Sequence, residues 1–399
     1  VETRHSLPPV RLFIGMVTSD TLSPECADCF ELTGLNGAGN NRRLTAAGVL
    51  QVIPVHVSSI ARLIDEGTLP VDVALVRVRP SRAPGHYTVG VVADYTQALV
   101  RNARCVVAEL DERMPETAHD ALVAADDIDV WLEADKDQIL LHDAEPSIEE
   151  RAVARHVASV IPNRATVQFG IGGLSVAVAQ ALRDHRDLGV HSGVVSDALV
   201  DLIENGTVTN AYKGVDEGVS VTGCLFGSDR LNAHASGNPA VALRAATHTH
   251  NGEVMARLKS LYSVNSAIEV DLTGQVNAEQ AGGRYLGAVG GQIDFVRGAQ
   301  LSPGGRSIIA LPSTTPDGRT SRIVASLAGR PVTTARSEVD LVVTEYGVAD
   351  LRGCSFARRM EHLAAIAHPA FRDALLREAR DGARPRPASQ SVVSEARHV

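Results

Sequence analysis

The chain has 399 residues, of which 44% are hydrophobic and only 4% aromatic, and its formal net charge is −9. That length suits two domains of roughly 100–200 residues each, and no basic cluster is present that could follow a nucleic-acid backbone. No run of about 18 apolar residues exists, so no membrane-spanning helix is expected.

With so few aromatics the cores must be built of Val, Ala, Leu and Ile, which suits parallel strands buried on both faces. The opening "VETRHSLPPVRL" has neither a starting Met nor a signal-peptide pattern. Five cysteines, an odd number, argue against a disulfide framework and for a reducing, cytoplasmic setting. Cys26 and Cys29 form one CxxC, but no second pair or nearby His completes a zinc set, so no metal centre is expected. Cys105 and Cys224 read as buried thiols.

In chain order, residues 10–17 are apolar and β-rich and read as a first strand. The Gly- and Asn-rich run 34–41 reads as a loop. A strand is expected around 51–54, then a short helix over "SSIARLIDEG" closed by Gly67. Residues 71–78, bounded by Pro70 and Pro80, form a buried strand. Residues 90–92 and 105–110 give two more, with a helix over 95–101 between them. Strands alternating with helices imply a parallel sheet. A boundary falls near 135–147. Ser147 with Glu150 three residues on is a capping-box pattern, and the helix it opens carries Val153, Val157, Val160 and Ile161 on one face.

The second half is organised around 165–202. A short β-rich run, 166–169, leads into Gly170, Gly172 and Gly173 and then an alanine-rich helix over 175–182. Strand, glycine turn and helix bring backbone N–H groups close to a phosphate or thioester, because a Cβ there would block approach or forbid φ > 0. Alone, "GIGG" reads equally as a tight turn without a ligand. A strand at 188–191, a helix at 197–204 ended by Gly206, and a strand at 219–226 follow. Residues 231–253 read as irregular and hold His234, His248 and His250. Residues 266–272 begin a hairpin turned by Thr273 and Gly274, and a glycine-rich run spans 287–299. "SIIALP" and "VDLVVTEYGVADLRG" give buried strands, and "SFARRMEHLAAIAH" is amphipathic. The polar, proline-bearing tail, 382–399, reads as disordered.

Six ordered motifs, "FGIGGLSVAVAQAL", "DLGVHSGVVSDALVDLIENGTVTN", "NSAIEVDLTGQVN", "GAVGGQIDFVRGA", "SIIALPST" and "VDLVVTEYGVADLRG", together resemble the acetyl-CoA hydrolase/transferase family of coenzyme A transferases. The first half fits as well, through "LPVDVALVRV" and "VGVVADYTQALV". The resemblance implies an α/β fold of two similar open domains with largely parallel sheets, 1–145 and 146–381, and an active site in the cleft between them. It implies acyl-CoA as substrate, with coenzyme A not permanently bound, a small-molecule acceptor, and a homo-oligomer. Family members use a glutamate whose carboxylate attacks the thioester to give an acyl-glutamyl anhydride. The released thiolate then gives a glutamyl-CoA thioester, so one hard exchange becomes easier steps.

Two departures stand out. The family glutamate follows the "HS" of "GIHSE", and here that position is Gly193, which has no side chain. By the resemblance, an extra strand, glycine loop and helix usually precede the segment at residue 10, and the sequence reads as if that part were missing or shortened. Both changes fall on the acceptor and covalent side, while the coenzyme-side loops are intact.

By the same resemblance, Gly290 and Gly291 face the thioester oxygen, where preorganised N–H donors stabilise an oxyanion by roughly 3 kcal/mol each; the alternative is a glycine bulge shaping a strand. Gly170, Ile171, Gly172, Gly173 and Leu174 lie against the pantetheine and phosphates. Glu269 reads as a displaced nucleophile or base, or as a structural carboxylate needing a partner, and Glu345 has the same two readings. His191 could act as a general base and Ser192 could be acylated, but both equally suit local hydrogen bonding at a strand end. His248 and His250 flank a loop that approaches coenzyme A in the family, and capping or surface roles fit them as well. Arg352 suits a phosphate or a salt bridge. Three functions follow: direct acyl transfer from a thioester to an acceptor or water, orthodox carboxylate exchange through Glu269, or a non-catalytic coenzyme A-binding subunit.

Overall fold

The computed structural model describes residues 10–117 and 122–382; the expected tail, apart from residue 382, lies outside them. The fold is α/β with mostly parallel sheets. An eight-stranded sheet dominates, in the order Val241–Leu243, Ser220–Leu225, Gly189–Val195, Thr166–Gln168, Leu261–Ser266, Arg306–Ala310, Leu341–Thr344, Gly347–Asp350. Only the last pair is antiparallel. Every residue of Thr166–Gln168, Ser220–Leu225 and Leu341–Thr344 is buried, as expected for parallel strands covered on both faces.

The chain enters this sheet at Thr166–Gln168 and builds outward to Val241–Leu243. It then returns to the other side of the first strand with Leu261–Ser266 and builds in the opposite direction. The reversal leaves a crevice at the carboxyl ends of these two strands, where open α/β sheets bind ligands. Asn265 donates to Gln168 Oε1 across it at 3.1 Å. The capping box forms: Glu150 N donates to Ser147 Oγ, and Ser147 N donates to the Glu150 carboxylate. Val153, Val157 and Ile161 are buried in the core, with Val160 at its margin. This helix, Ile148–Val160, packs on Gly173–Ala181. The Glu150 carboxylate lies 2.6 Å from where a Cβ on Gly173 would stand, so a side chain there would displace the carboxylate from its capping box.

The N-terminal half carries a parallel three-stranded sheet, Val10–Ile14, Phe30–Gly34 and Leu50–Val52, and a mixed five-stranded one centred on Val73–Pro80 and Cys105–Leu110. One core cluster runs from Val78 and Ala108 of that sheet through Val157 and Val167 to Ile308 and Val343, so the halves share their packing. Among the described residues no helix is long and apolar enough to cross a membrane.

Two expectations are corrected. Residues 90–92 are not a strand: Gly90 has φ +67, and Val92 makes only an isolated bridge to Cys224. The run 34–41 is the expected loop over 35–40, between Phe30–Gly34 and the helix Asn41–Ala46. The stretch 231–253 is ordered into Asp229–Ala235, Val241–Leu243, Ala246–Thr249 and the start of Gly252–Arg257. These elements are too short to show a period, though Ser228 and Asn251 cap two of them. The hairpin forms as expected, with Glu269–Asp271 antiparallel to Val276–Asn277 and Gly274 at φ +97.

Candidate functional site

Gly193 lies near the carboxyl end of Gly189–Val195, and the ring of His250 stands against it. A Cβ at 193 would be 2.9 Å from both Cε1 and Nε2 of His250, and one at Gly291 would be 2.4 Å from Nε2. Real side-chain carbons essentially never approach below 3.0 Å, so the imidazole occupies the room that side chains at both glycines would need. Phe295 meets the ring edge-on at 4.8 Å. Thr249 Oγ1 lies 2.9 Å from His250 Nδ1 and has the Ala245 carbonyl, 3.4 Å away, as acceptor for its own proton. In the tautomer that donates its Nδ1 proton to Thr249 Oγ1, the lone pair of Nε2 faces the two glycines. Burial pushes the imidazole down to about 3, so the ring is neutral across the physiological range.

Gly291 opens the helix Gln292–Leu301, and the loop before it is clamped by the N-terminal half. Gly290, at φ +57, accepts from Val57 N and bridges His56. Ser58 donates from both N and Oγ to the Asp294 carboxylate, at 3.1 and 2.7 Å. Gly37 N reaches the Gly287 carbonyl at 2.8 Å. The glycine loop is therefore fixed at the seam between the halves.

On the neighbouring strand Cys224 Sγ donates to Asp94 Oδ2 at 3.2 Å. A Cβ on Gly223 would meet Asp94 Oδ1 at 2.6 Å and the Gly193 carbonyl at 2.9 Å, so this pair adjoins Gly193. Burial pushes the Cys224 thiol well above its usual value, which keeps it out of the nucleophilic thiolate form. Burial likewise raises Asp94 to about 6, against the lowering effect of the Cys224 hydrogen bond. A carboxyl raised from 3.8 contributes stability below pH 3.8 and loses it as pH climbs through about 6; at about 1.4 kcal/mol per pH unit the loss is at most about 3 kcal/mol. Asp94→Asn is therefore expected to raise the unfolding midpoint at pH 8 and leave it unchanged near pH 4, as thermal melts at the two pH values would show.

His191 and Ser192 are fully buried and bond main-chain groups. His191 Nε2 meets the Thr249 carbonyl at 2.9 Å. Ser192 Oγ lies 2.9 Å from the Phe169 carbonyl and 2.7 Å from that of Val194. They tie the Gly193 strand to the segment carrying His250 and to the end of Thr166–Gln168. Gly170 to Leu174 follow that strand at the crevice, with Gly172 at φ +94, Ile171 46% exposed and Leu174 buried.

Glu269 opens a strand, Glu269–Asp271, that follows Leu261–Ser266 in the chain and lies in a separate three-stranded sheet with Val276–Asn277 and Ile323–Val324. Its Oε2 is 2.5 Å from Arg330, and no contact among the described residues joins it to Gly193 or His250. Glu345 holds the backbone N and hydroxyl of Ser313 at 2.8 and 2.6 Å. Arg352 pairs with Asp340 at 2.7 Å. It lines a cavity of about 600 Å³ with Tyr262 and Arg306, at the amino ends of their strands and so away from the glycine loops. His250 is the residue that sequence reasoning left among loop histidines, since only the fold brings it to Gly193.

Residues 35–144 match the acetyl-CoA hydrolase/transferase N-terminal domain, and residues 227–379 match the C-terminal domain of the same family. The chain is 38% identical over 350 residues to the 4-hydroxybutyrate coenzyme A transferase of Clostridium kluyveri, covering 88% of this chain and 82% of that protein. The crystal structure of RipA from Yersinia pestis superposes with a TM-score of 0.89 at 31% identity, covering 95% of this chain and 89% of that one. A 4-hydroxybutyrate CoA-transferase structure from Porphyromonas gingivalis gives 0.79 at 32% identity, over 96% and 88% of the two chains. With both domain models matched in order and a relative of this identity covered over most of its length, the chain belongs to the acetyl-CoA hydrolase/transferase family of enzymes.

Proposed function

We propose that the enzyme transfers the acyl group of an acyl-CoA thioester directly to water or a small acceptor, without a glutamyl-CoA intermediate. One observation carries this reading: the His250 ring fills the room beside Gly193 where a nucleophilic side chain would project. The acceptor approaches the thioester carbonyl from the His250 side, and Nε2 takes its proton as the carbon–oxygen bond forms. The carbonyl oxygen becomes an oxyanion, stabilised by the backbone N–H of Gly291, while Gly290, paired with the His56 segment, holds the turn. Collapse breaks the carbon–sulfur bond, and the coenzyme A thiolate takes the proton back from His250. Gly170, Ile171, Gly172, Gly173 and Leu174 serve the coenzyme, as the crevice position suggests. His191 and Ser192 position the two strands that meet there.

Incubation with a short-chain acyl-CoA, quenching and intact-mass measurement test the proposal. The expected result is steady release of free thiol with no coenzyme A adduct on the protein. A glutamate-linked adduct, or conversion of an added carboxylate into its own coenzyme A thioester with no net release of free thiol, would overturn it.

The names of the relatives favour a second reading, carboxylate exchange through Glu269. If the ion pair with Arg330 is structural, Glu269→Gln leaves turnover within about threefold and costs only about 1 kcal/mol of stability, since the Arg330 side chain is 39% exposed and water screens the pair. Loss of turnover of a hundredfold or more, with the fold retained, would instead make Glu269 the nucleophile.

A further inference from the structure

Two residues before Gly193, and on the same face of its strand, His191 enters a second cluster. One ring nitrogen of His191, one of His248 and a carboxylate oxygen of Asp216 lie within 4.8 Å of one another. The three come from different elements: the strand Gly189–Val195, the turn before Ser220–Leu225, and the helix Ala246–Thr249. His191 is fully buried. Its Nε2 faces the Thr249 carbonyl, and its Nδ1 is buried with no hydrogen-bond partner among the described residues. A carbonyl on Nε2 fixes the proton there and leaves Nδ1 with a lone pair. Metal-ligating histidines are held by this kind of outer partner. His248 Nε2 lies 2.9 Å from Asp216 Oδ2, and the two side chains are 29% and 17% exposed, so solvent reaches the open side of the cluster.

We infer that His191, Asp216 and His248 form a binding site for one divalent transition-metal ion, of which Zn²⁺ fits best. Two imidazoles and a carboxylate suit zinc, with water in the fourth tetrahedral position. Magnesium and calcium, which take oxygen ligands, do not match this donor set. The two rings stand 5.9 Å apart at 44°, a spacing compatible with two nitrogen bonds of about 2.0–2.1 Å to one ion. Two cations oppose the ion. Lys213 Nζ is held by the carbonyls of Val190 and Val219 at 2.8 and 2.6 Å, and Arg244 lies 3.8 Å from Asp216. They make the site weaker than a closed structural zinc centre, so its ion exchanges with solution. The ion would tie the strand bearing Gly193 to the helix that leads directly into Thr249 and His250, and its presence does not depend on what His250 does.

Cobalt is the probe. Protein stripped by a chelator and dialysed is titrated with Co²⁺. Wild type is expected to take up one equivalent with the visible absorption of a four-coordinate nitrogen–oxygen site, to lose that absorption when Zn²⁺ is added, and to unfold at a higher temperature with either metal. His248→Gln and Asp216→Asn, both at partly exposed positions, are expected to lose that equivalent while keeping the wild-type circular dichroism. No uptake by wild type at millimolar Co²⁺ would overturn the inference, and so would equal uptake by the two variants. Should a variant unfold, diethyl pyrocarbonate labelling of wild-type His248, read by peptide mass, decides: Zn²⁺ protects it if the site exists, and unchanged labelling refutes it.

Discussion

Replacing His250 with alanine is expected to lower kcat by about 10²–10⁴-fold, the usual contribution of a positioned general base, with KM for acyl-CoA little changed. Burial holds its pKa near 3, so the ring is neutral, with its lone pair unprotonated, at any physiological pH. Such a weak base gains full protonation only as negative charge develops at the glycine loop. Its orientation comes from Thr249 on one side and Phe295 on the other. Thr249→Val, which deletes the hydroxyl but keeps the shape, is therefore expected to lower kcat in the same direction by a smaller factor. The measurement is steady-state thiol release with coenzyme A binding followed separately. Unimpaired binding with lost turnover supports the assignment, and turnover within threefold of wild type in His250→Ala refutes it. A purely packing role would instead show as a lowered unfolding midpoint with kcat preserved at low temperature.

Much of the fold is legible in the sequence wherever local chemistry and tertiary structure agree. Residues 105–110 form the strand that their apolar run implies, Asp197–Glu204 is the helix expected between its strand and Gly206, and Ser147 and Glu150 make both bonds of their capping box. Legibility fails where a segment is defined by a distant partner. Residues 90–92 have strand composition, yet Val91 N turns back to the Val89 carbonyl, and the long-range bonds of this segment are the two that the Val91 carbonyl and Ala93 N make with Leu225 N and the Gly223 carbonyl, more than a hundred residues away. The site follows the same rule. The vacancy at Gly193 and the glycine loop at 290 and 291 stand out by resemblance, because each is a contiguous motif. His250 does not, because its meaning comes from contact with two glycines on two other elements. His191, Asp216 and His248 are likewise separated by intervals that match no local ligand pattern.

Putting the missing carboxylate back, as Gly193→Glu, is expected to fail in the native background and to succeed only when His250 is also cut down. Gly193 sits within a regular strand and has no positive φ, so its backbone accepts a side chain; Gly291, at φ −95, does too. What excludes a Cβ at either place is the imidazole, 2.9 Å away at 193 and 2.4 Å at 291. The single variant should lose about 1–3 kcal/mol through overpacking and displace the ring, so that direct transfer falls while no glutamate-bound intermediate gains the geometry to form. In Gly193→Glu combined with His250→Ala, the new carboxylate occupies the cleared room beside the loop at 290 and 291, where it can attack the thioester carbonyl. That double variant is expected to recover stability over the single one and to carry a coenzyme A adduct on residue 193 after exposure to acyl-CoA, seen by intact mass and by inactivation with borohydride. The cycle separates two accounts of the pocket. If Gly193→Glu alone forms the adduct, His250 yields easily and its place beside the glycines is incidental. If only the double variant does, glycine at 193 and histidine at 250 are two halves of one substitution, since each is sterically permitted only by the other.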